Sequence, residues 1–243
     1  MIEIKGLYKS FGDKEVLRGV DLTISDNETL VIVGKSGCGK SVMLKHIVGL
    51  MKPDKGTVEI DGKFVNSMDQ KQLYELRKNF GYLFQSGAIF DSMTVEENVG
   101  LPLVESDVRY PEAEIRKLVE EKLELVGLPG IGKLKPSELS GGMRKRVGLA
   151  RAIISNPSYI LYDEPTTGLD PIMSDSIDKL ILDVREKVKA TAIVVTHDMF
   201  SVQNVADKVA MMHEGRVYFY GTPDELLNSK DEIIYEFIKR TNG

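Results

Sequence analysis

The chain has 243 residues, a net charge of −5, 42% hydrophobic and 28% charged residues, the proportions of a globular protein large enough to bury a substantial core. Nothing in that balance provides a global positive field for nucleic acid, and no apolar run approaches the ~18 residues of a membrane span. The single cysteine, Cys38, excludes an internal disulfide framework and fits a reducing compartment. With His46, His197 and His213 it offers no zinc-ligand spacing, and MIEIKGLYKS lacks the basic-then-apolar pattern of a secretory leader.

Residues 1–24 alternate through Ile2, Ile4, Leu7, Val16, Leu17, Val20, Leu22 and Ile24, which predicts two or three strands with a turn at Phe11-Gly12-Asp13. Leu30 to Val33 read as a short buried strand. The eight residues that follow, Gly34, Lys35, Ser36, Gly37, Cys38, Gly39, Lys40 and Ser41, fit G-x-x-x-x-G-K-[ST]. Met43, Leu44, Ile47, Val48 and Leu50 then recur at helical spacing. Strand, glycine loop and helix form the context in which this motif cradles phosphate: glycines turn backbone N–H groups inward and the helix start adds partial positive charge. Lys40 is placed to reach β- and γ-phosphates, and the Ser41 hydroxyl to ligate Mg²⁺. Residues 57–65 carry a hairpin signal around Asp61-Gly62, so an antiparallel sheet is expected beside the nucleotide. Phe11, or with less support Tyr8, offers a ring for stacking on a base.

A short helix is predicted over 69–79 and a strand over 80–84, ending at Gln85. Strand signals then stop until about Pro157. Thr94-Val95-Glu96-Glu97 is a capping-box pattern, residues 111–126 place Ile115, Leu118, Val119, Leu123 and Val126 on one helical face, Pro129 to Pro136 read as a loop, and a helix is expected over 141–154. A strand at 159–164 ends in Asp163 and Glu164. Residues 171–188 are helical, 191–196 form a strand ending at His197-Asp198, two short strands surround Glu214-Gly215, and Thr222-Pro223-Asp224-Glu225 caps a C-terminal helix. The expectation is a single domain over 1–243: an α/β mixed-sheet core with an antiparallel β subdomain (1–85 and 158–243) and an inserted all-helical subdomain (86–157).

In a doubly wound sheet, ligands sit at the carboxyl ends of strands. Gln85, Asp163 with Glu164, and His197 all fall at predicted strand ends. Asp163 is placed to hold Mg²⁺ through water, Glu164 to orient or deprotonate an attacking water, Gln85 to touch metal and water, and His197 to hydrogen-bond a γ-phosphate. Leu139-Ser140-Gly141-Gly142-Met143 opens a helix; alone it reads as a good N-cap and a further anion site.

Together, LSGGM preceding YILYDEPTTGLDP, with Gln85 before and His197 after, resembles the ATP-binding subunit of ABC transporters over essentially the whole chain. The resemblance implies a P-loop NTPase core of ABC ATPase architecture that binds and hydrolyses ATP with Mg²⁺. It assigns Phe11 to adenine stacking, Gly34 to Ser41 with Val42 to the Walker A loop, Gln85 to the Q-loop, and Ser140, Gly141 and Gly142 to the signature motif. Asp163 and Glu164 become the Walker B pair, with Glu164 as catalytic base, Asp170 the D-loop aspartate and His197 the switch histidine. It further implies a head-to-tail homodimer with two ATPs between the copies, and integral membrane permease subunits as partners. The location it implies is peripheral, at the cytoplasmic face of the cell membrane. Two residues depart from the common pattern: Met143 stands in place of glutamine, and Val42 in place of a second hydroxyl residue. The segment from Leu83 to Val99, with Asp170-Pro171-Ile172, is similar to ATPases of the Mla/Mce-associated phospholipid (toluene-tolerance-like) systems. That similarity implies a lipid substrate and an Mce-type lipid-binding subunit; the wider ABC transporter resemblance implies a groove after the Q-loop for the permease, with Ala88, Ile89, Phe90 and Met93 as its candidates. An ATPase working on ribosomes or DNA is disfavoured by the single cassette and the missing basic tract. A P-loop kinase leaves LSGGM, Gln85 and His197 without a role.

Overall fold

The computed structural model describes residues 1–241. In chain order the elements are β1 (Ile2–Phe11), β2 (Lys14–Ile24), β3 (Thr29–Gly34), α1 (Lys40–Ile47), β4 (Lys55–Ile60), β5 (Lys63–Phe64), α2 (Gln70–Lys78), β6 (Phe80–Leu83), α3 (Val95–Val104), α4 (Glu112–Leu125), α5 (Gly141–Ala152), β7 (Tyr159–Asp163), α6 (Pro171–Val188), β8 (Thr191–Val195), α7 (Met199–Val205), β9 (Lys208–His213), β10 (Arg216–Gly221), α8 (Pro223–Leu227) and α9 (Glu232–Thr241). They fall into two compact units, one made of Met1–Arg77 and the chain from Ile193 onward, the other of Lys78–Ala192.

In the first unit β2, β1, β4 and β5 form an antiparallel sheet in that order. Ile2 pairs with Ile24 and Ile4 with Leu22, and Ile2 also faces Ile60; all five are buried, so the period-2 alternation of the sequence becomes one apolar face. The β4–β5 turn has Asp61 at φ 50° and Gly62 at φ 78°, the two positive-φ positions that match the twist of a tight hairpin. Strand β3 is buried at every residue and runs parallel to β9, Leu30 opposite Lys208 through Gly34 opposite Met212. A parallel strand covered on both faces needs no alternation, which is why Leu30–Val33 is a continuous apolar run. Helix α1 leaves the end of β3, and Arg77 donates from Nε to the Val48 carbonyl (3.0 Å) and from Nη2 to that of Gly49 (2.8 Å). A cation thereby satisfies carbonyls at the negative end of the helix dipole.

Within α1, His46 is buried. Its Nδ1 lies 2.7 Å from the Val42 carbonyl, which can only accept, so Nδ1 carries the proton and Nε2 is left buried without a hydrogen-bond partner. Burial lowers the pKa of His46 below the ordinary value, against the raising pull of the Val42 carbonyl. The fold therefore prefers the neutral ring, while the unfolded chain protonates below its ordinary pKa. The resulting stability is fully present above that pKa and is lost as pH falls through it. We expect denaturant unfolding of wild type to lose more stability between pH 7.5 and 5 than unfolding of His46→Leu; parallel pH curves would contradict this.

In the second unit β6 and β7 pair in parallel from Phe80 opposite Tyr159 to Leu83 opposite Tyr162, and the Phe80 and Tyr159 rings stack with centroids 5.0 Å apart. Between these strands the described residues form only helices and turns. Thr94 opens α3 with both capping-box bonds, Glu97 N to Thr94 Oγ1 (3.2 Å) and Thr94 N to Glu97 Oε2 (2.6 Å). The fully buried Asn98 accepts the Phe90 N–H (2.7 Å) and donates to the carbonyls of Phe90 (3.0 Å) and Thr94 (2.9 Å), which pins the turn before α3.

Two helices were not foreseen. The C-terminal helix that Thr222 caps is α8, which stops after five residues, and a further helix, α9, starts at Glu232. The break belongs to Asp231, whose carboxylate accepts the N–H groups of Ile233 (2.9 Å) and Ile234 (3.1 Å) as a second cap, and the Tyr218 hydroxyl (2.8 Å). Helix α7, which the sequence reading passed over, is seven residues long and begins where Asp198 accepts the Phe200 N–H (2.9 Å).

Candidate active site

The first unit holds the phosphate loop. Gly34, Gly37 and Gly39 all have positive φ. At Gly39 (φ 109°) a Cβ would lie 2.7 Å from Leu17 Cδ2 and 3.1 Å from the Val16 carbonyl, so this position needs glycine both for its backbone and for the close approach of β2. The first ladder bond of α1 runs from Met43 N to Gly39 O (2.9 Å), which leaves the N–H groups of Lys40, Ser41 and Val42 outside the helical ladder. Lys40 Nζ donates to the carbonyls of Gly34 (2.6 Å) and Lys35 (3.2 Å): its ammonium curls over the loop, where an anion cradled there would meet it. Lys35, Ser36, Gly37 and Ser41 are exposed, and Cys38 is half-buried with its thiol pushed up by burial. Free amides, an ammonium and an exposed hydroxyl at one helix start are the donor set a polyphosphate with a divalent cation requires.

In the same unit, Phe11 ends β1 at the tip of the first hairpin, 48% exposed, with Lys9 Nζ 5.7 Å from its ring centroid. Tyr8 is differently engaged: a Cβ on Gly19 would fall 2.7 Å from the Tyr8 hydroxyl, so its ring lies in the space that glycine leaves. Thr196 N donates to Ile32 O (3.3 Å), so His197, exposed, leaves β8 beside the end of β3 that carries the phosphate loop.

The second unit carries the carboxylates. Asp163 closes β7 and its Oδ2 is 3.3 Å from the Tyr82 hydroxyl; burial first, then the Asp163 charge, raises the Tyr82 phenol, which stays a donor at neutral pH. Glu164 lies one residue beyond the strand at φ 50°, a left-handed conformation that costs a non-glycine residue about 1 kcal/mol. The Thr167 hydroxyl donates to Glu164 Oε2 (3.0 Å) and fixes the carboxylate. Gln85 is exposed, just past β6 in the turn closed by Gly87 N to Phe84 O (2.8 Å).

Ser140 is the N-cap of α5, its Oγ accepting the Met143 N–H (3.3 Å). The first ladder bond runs from Arg144 N to Ser140 O (3.0 Å), so the Gly141 and Gly142 amides remain outside the ladder. Gly142 packs against α6: a Cβ there would meet Met173 Cε, the movable end of a flexible side chain. Asp170 caps α6 by accepting the Met173 N–H (3.0 Å). Phe90 is exposed, Ile89 and Met93 are half-buried, and Ala88 sits at φ 46°; Arg151 donates to the Ala88 (2.9 Å) and Gly87 (3.1 Å) carbonyls and props this turn.

Sequence reasoning missed three side chains that hold these groups: Tyr82, Thr167 and Lys145. Lys145 lies between Arg144 and Arg146 in the helix expected over 141–154, where a run of basic residues carries no motif. Its spacing was the available signal: it lies three residues after Gly142 and four before Leu149, on the buried face of α5.

Residues 17–167 match the family model described as ABC transporter. The chain belongs to the ABC transporter family. It is 44% identical, over 98% of its own length and 68% of the relative's, to the probable ribonucleotide transport ATP-binding protein mkl of Mycobacterium leprae. With the intermembrane phospholipid transport system ATP-binding protein MlaF of Haemophilus influenzae it shares 41% identity over 98% of the chain and 90% of the relative. It is also 41% identical, over 98% of the chain and 71% of the relative, to the methionine import ATP-binding protein MetN of Carboxydothermus hydrogenoformans. Its fold matches the dimeric post-hydrolysis state of the ATP-binding cassette MJ0796 bound to ADP and Pi, with a TM-score of 0.82 and 33% identity over 92% of this chain and 99% of that one. The fold is the ABC cassette, and the chain is an ABC ATPase.

Proposed function

We propose that this ABC ATPase drives a transporter of phospholipid or a related lipid, as a head-to-tail pair of identical chains seated on separate permease subunits. What carries the reading is the 41% identity to MlaF over nearly the full length of both chains. No described helix is long and apolar enough to cross a membrane, so in this reading movement across lipid needs a partner that is, and the proposed place of the chain is peripheral, at the cytoplasmic face beside that partner. An Mce-type lipid-binding subunit is the further partner this class suggests, and nucleic acid is not one.

In this reading Phe11 stacks on adenine, and the Gly34–Val42 amides with Lys40 hold the phosphate chain. Ser41, Gln85 and Asp163 are the residues that would hold Mg²⁺, which when bound neutralises charge on the β- and γ-phosphates. Glu164, fixed by Thr167, accepts a proton from the attacking water while His197 hydrogen-bonds the γ-phosphate. Ser140, Gly141 and Gly142 of one copy, with Asp170, complete the site of the other. The turn at Ala88, Ile89, Phe90 and Met93 takes the permease helix.

The identity to MetN supports a second reading, an importer of a small solute. Copurification from native membranes, followed by mass spectrometry of bound lipid and ATPase assays of the reconstituted complex, separates them. Phospholipid recovered with the complex, and turnover stimulated by it, is the expected result. Stimulation by an amino acid with its binding protein would favour the importer. Recovery of ribosomes or DNA in place of a membrane protein would overturn transport.

A further inference from the structure

Lys145 is a charged residue on α5 with only 5% of its surface exposed. Its Nζ donates to the backbone carbonyls of Pro165 (2.6 Å) and Thr167 (2.7 Å), with the Glu164 carbonyl at 3.5 Å. A buried ammonium is costly unless its hydrogens are satisfied, and here the satisfying groups all belong to the loop that carries Glu164. That loop holds Glu164 at φ 50°, and one of its clamped residues, Thr167, is the residue whose hydroxyl fixes the Glu164 carboxylate. Clamping the Pro165 and Thr167 carbonyls therefore sets both the backbone turn and the side-chain direction of Glu164. Burial lowers the Lys145 pKa and the Glu164 charge opposes this. Two neighbours on α5 extend the clamp to α6: Arg146 Nη2 donates to Ser176 Oγ (2.6 Å), and Gly142 packs against Met173. The Ser140–Gly142 turn and the Glu164 loop are thus fastened to one another inside the second unit.

We propose that Lys145 is a positioning residue that ties the Ser140–Gly142 turn to the Glu164 loop, so that engagement of nucleotide by the turn sets the carboxylate for hydrolysis. The inference rests on the head-to-tail pairing above. In that pairing the turn of one chain meets the nucleotide held by the second copy, while its Glu164 acts on the nucleotide held by its own phosphate loop. Lys145 then links the two ATP sites through one protein segment. Lys145→Met keeps length and apolar contacts but removes the donors; Lys145→Gln keeps a shorter donor.

The experiment measures kcat, KM and the Hill coefficient for ATP in the full chain with its membrane partner, beside fluorescent-nucleotide binding to the isolated chain. For Lys145→Met we expect kcat to fall about tenfold or more, with KM and nucleotide binding within about twofold and the Hill coefficient reduced to about 1. Lys145→Gln should recover part of kcat and of the cooperativity. If Lys145→Met does not fold, Lys145→Gln alone decides: it must show reduced cooperativity with nucleotide binding intact. Wild-type kcat and Hill coefficient in either folded variant would overturn the proposal, as would a wild-type Hill coefficient of 1 or a loss confined to thermal stability. Glu164→Gln runs alongside: if it hydrolyses ATP normally, the assignment of Glu164 itself falls, whereas an inactive Glu164→Gln with unaffected Lys145 variants sinks only the link.

Discussion

Glu164→Gln should lower kcat by at least ~10²-fold and leave ATP binding to the single chain nearly unchanged if Glu164 is the proposed base. The substitution is close to isosteric, and the amide oxygen still accepts the Thr167 hydroxyl that holds Oε2 at 3.0 Å. Backbone strain is unaltered, because the left-handed φ of 50° is set by the loop and is no harder for glutamine than for glutamate. What disappears is a negative charge and, on the proposed role of Glu164, the proton acceptor for the attacking water. The ground state should gain: one less carboxylate faces the γ-phosphate, so repulsion drops and the closed pair persists with ATP inside. Size-exclusion chromatography should therefore show an ATP-dependent dimer in the variant at concentrations where wild type is transient. Wild-type turnover by Glu164→Gln would remove Glu164 as the base, and low turnover with no trapped dimer would break the link between hydrolysis and reopening.

Where one local rule dominated, the sequence was sufficient. Residues 40–47 become α1 because a glycine loop at positive φ delivers the chain into a helix with an apolar side, and the Asp61-Gly62 hairpin needs only its turn chemistry. The capping box at Thr94 and the Asp170-Pro171 start of α6 were equally readable, since each bond is made within three residues. The failures share a physical cause. Asp231 is the partial exception: its cap on Ile233 and Ile234 is local, and only the Tyr218 hydroxyl, thirteen positions away, comes from the fold. Lys145 reads as a solvated charge because the carbonyls that accept from it are 20 and 22 residues along the chain. Tyr82 looks like a sheet residue, and only the 81-residue separation closed by parallel pairing of β6 and β7 brings it to Asp163. The residues proposed to react carry recognisable local motifs; the side chains that hold them are contributed by the fold and leave almost no local trace.

Mixing chains disabled at Lys40 with chains disabled at Ser140 should restore hydrolysis that neither shows alone. Lys40→Met removes the ammonium that folds over the phosphate loop. Ser140→Arg replaces an exposed N-cap with a bulky cation at the head of α5; loss of the cap to Met143 costs only about 1 kcal/mol, so the chain should fold and bind ATP. Ser140→Ala separates the two effects, because it loses the same cap without filling the space a second chain's nucleotide would occupy. In a head-to-tail pair, a mixed dimer has one site with both defects and one with neither. Random exchange makes half the pairs mixed, so about a quarter of wild-type sites should recover. Were each site built within one chain, every site would keep its defect and mixing would restore nothing. Subunit exchange must be shown independently, by differently tagged chains that copurify. An exchanged mixture that stays inert, in turnover and in nucleotide occlusion alike, excludes the shared site.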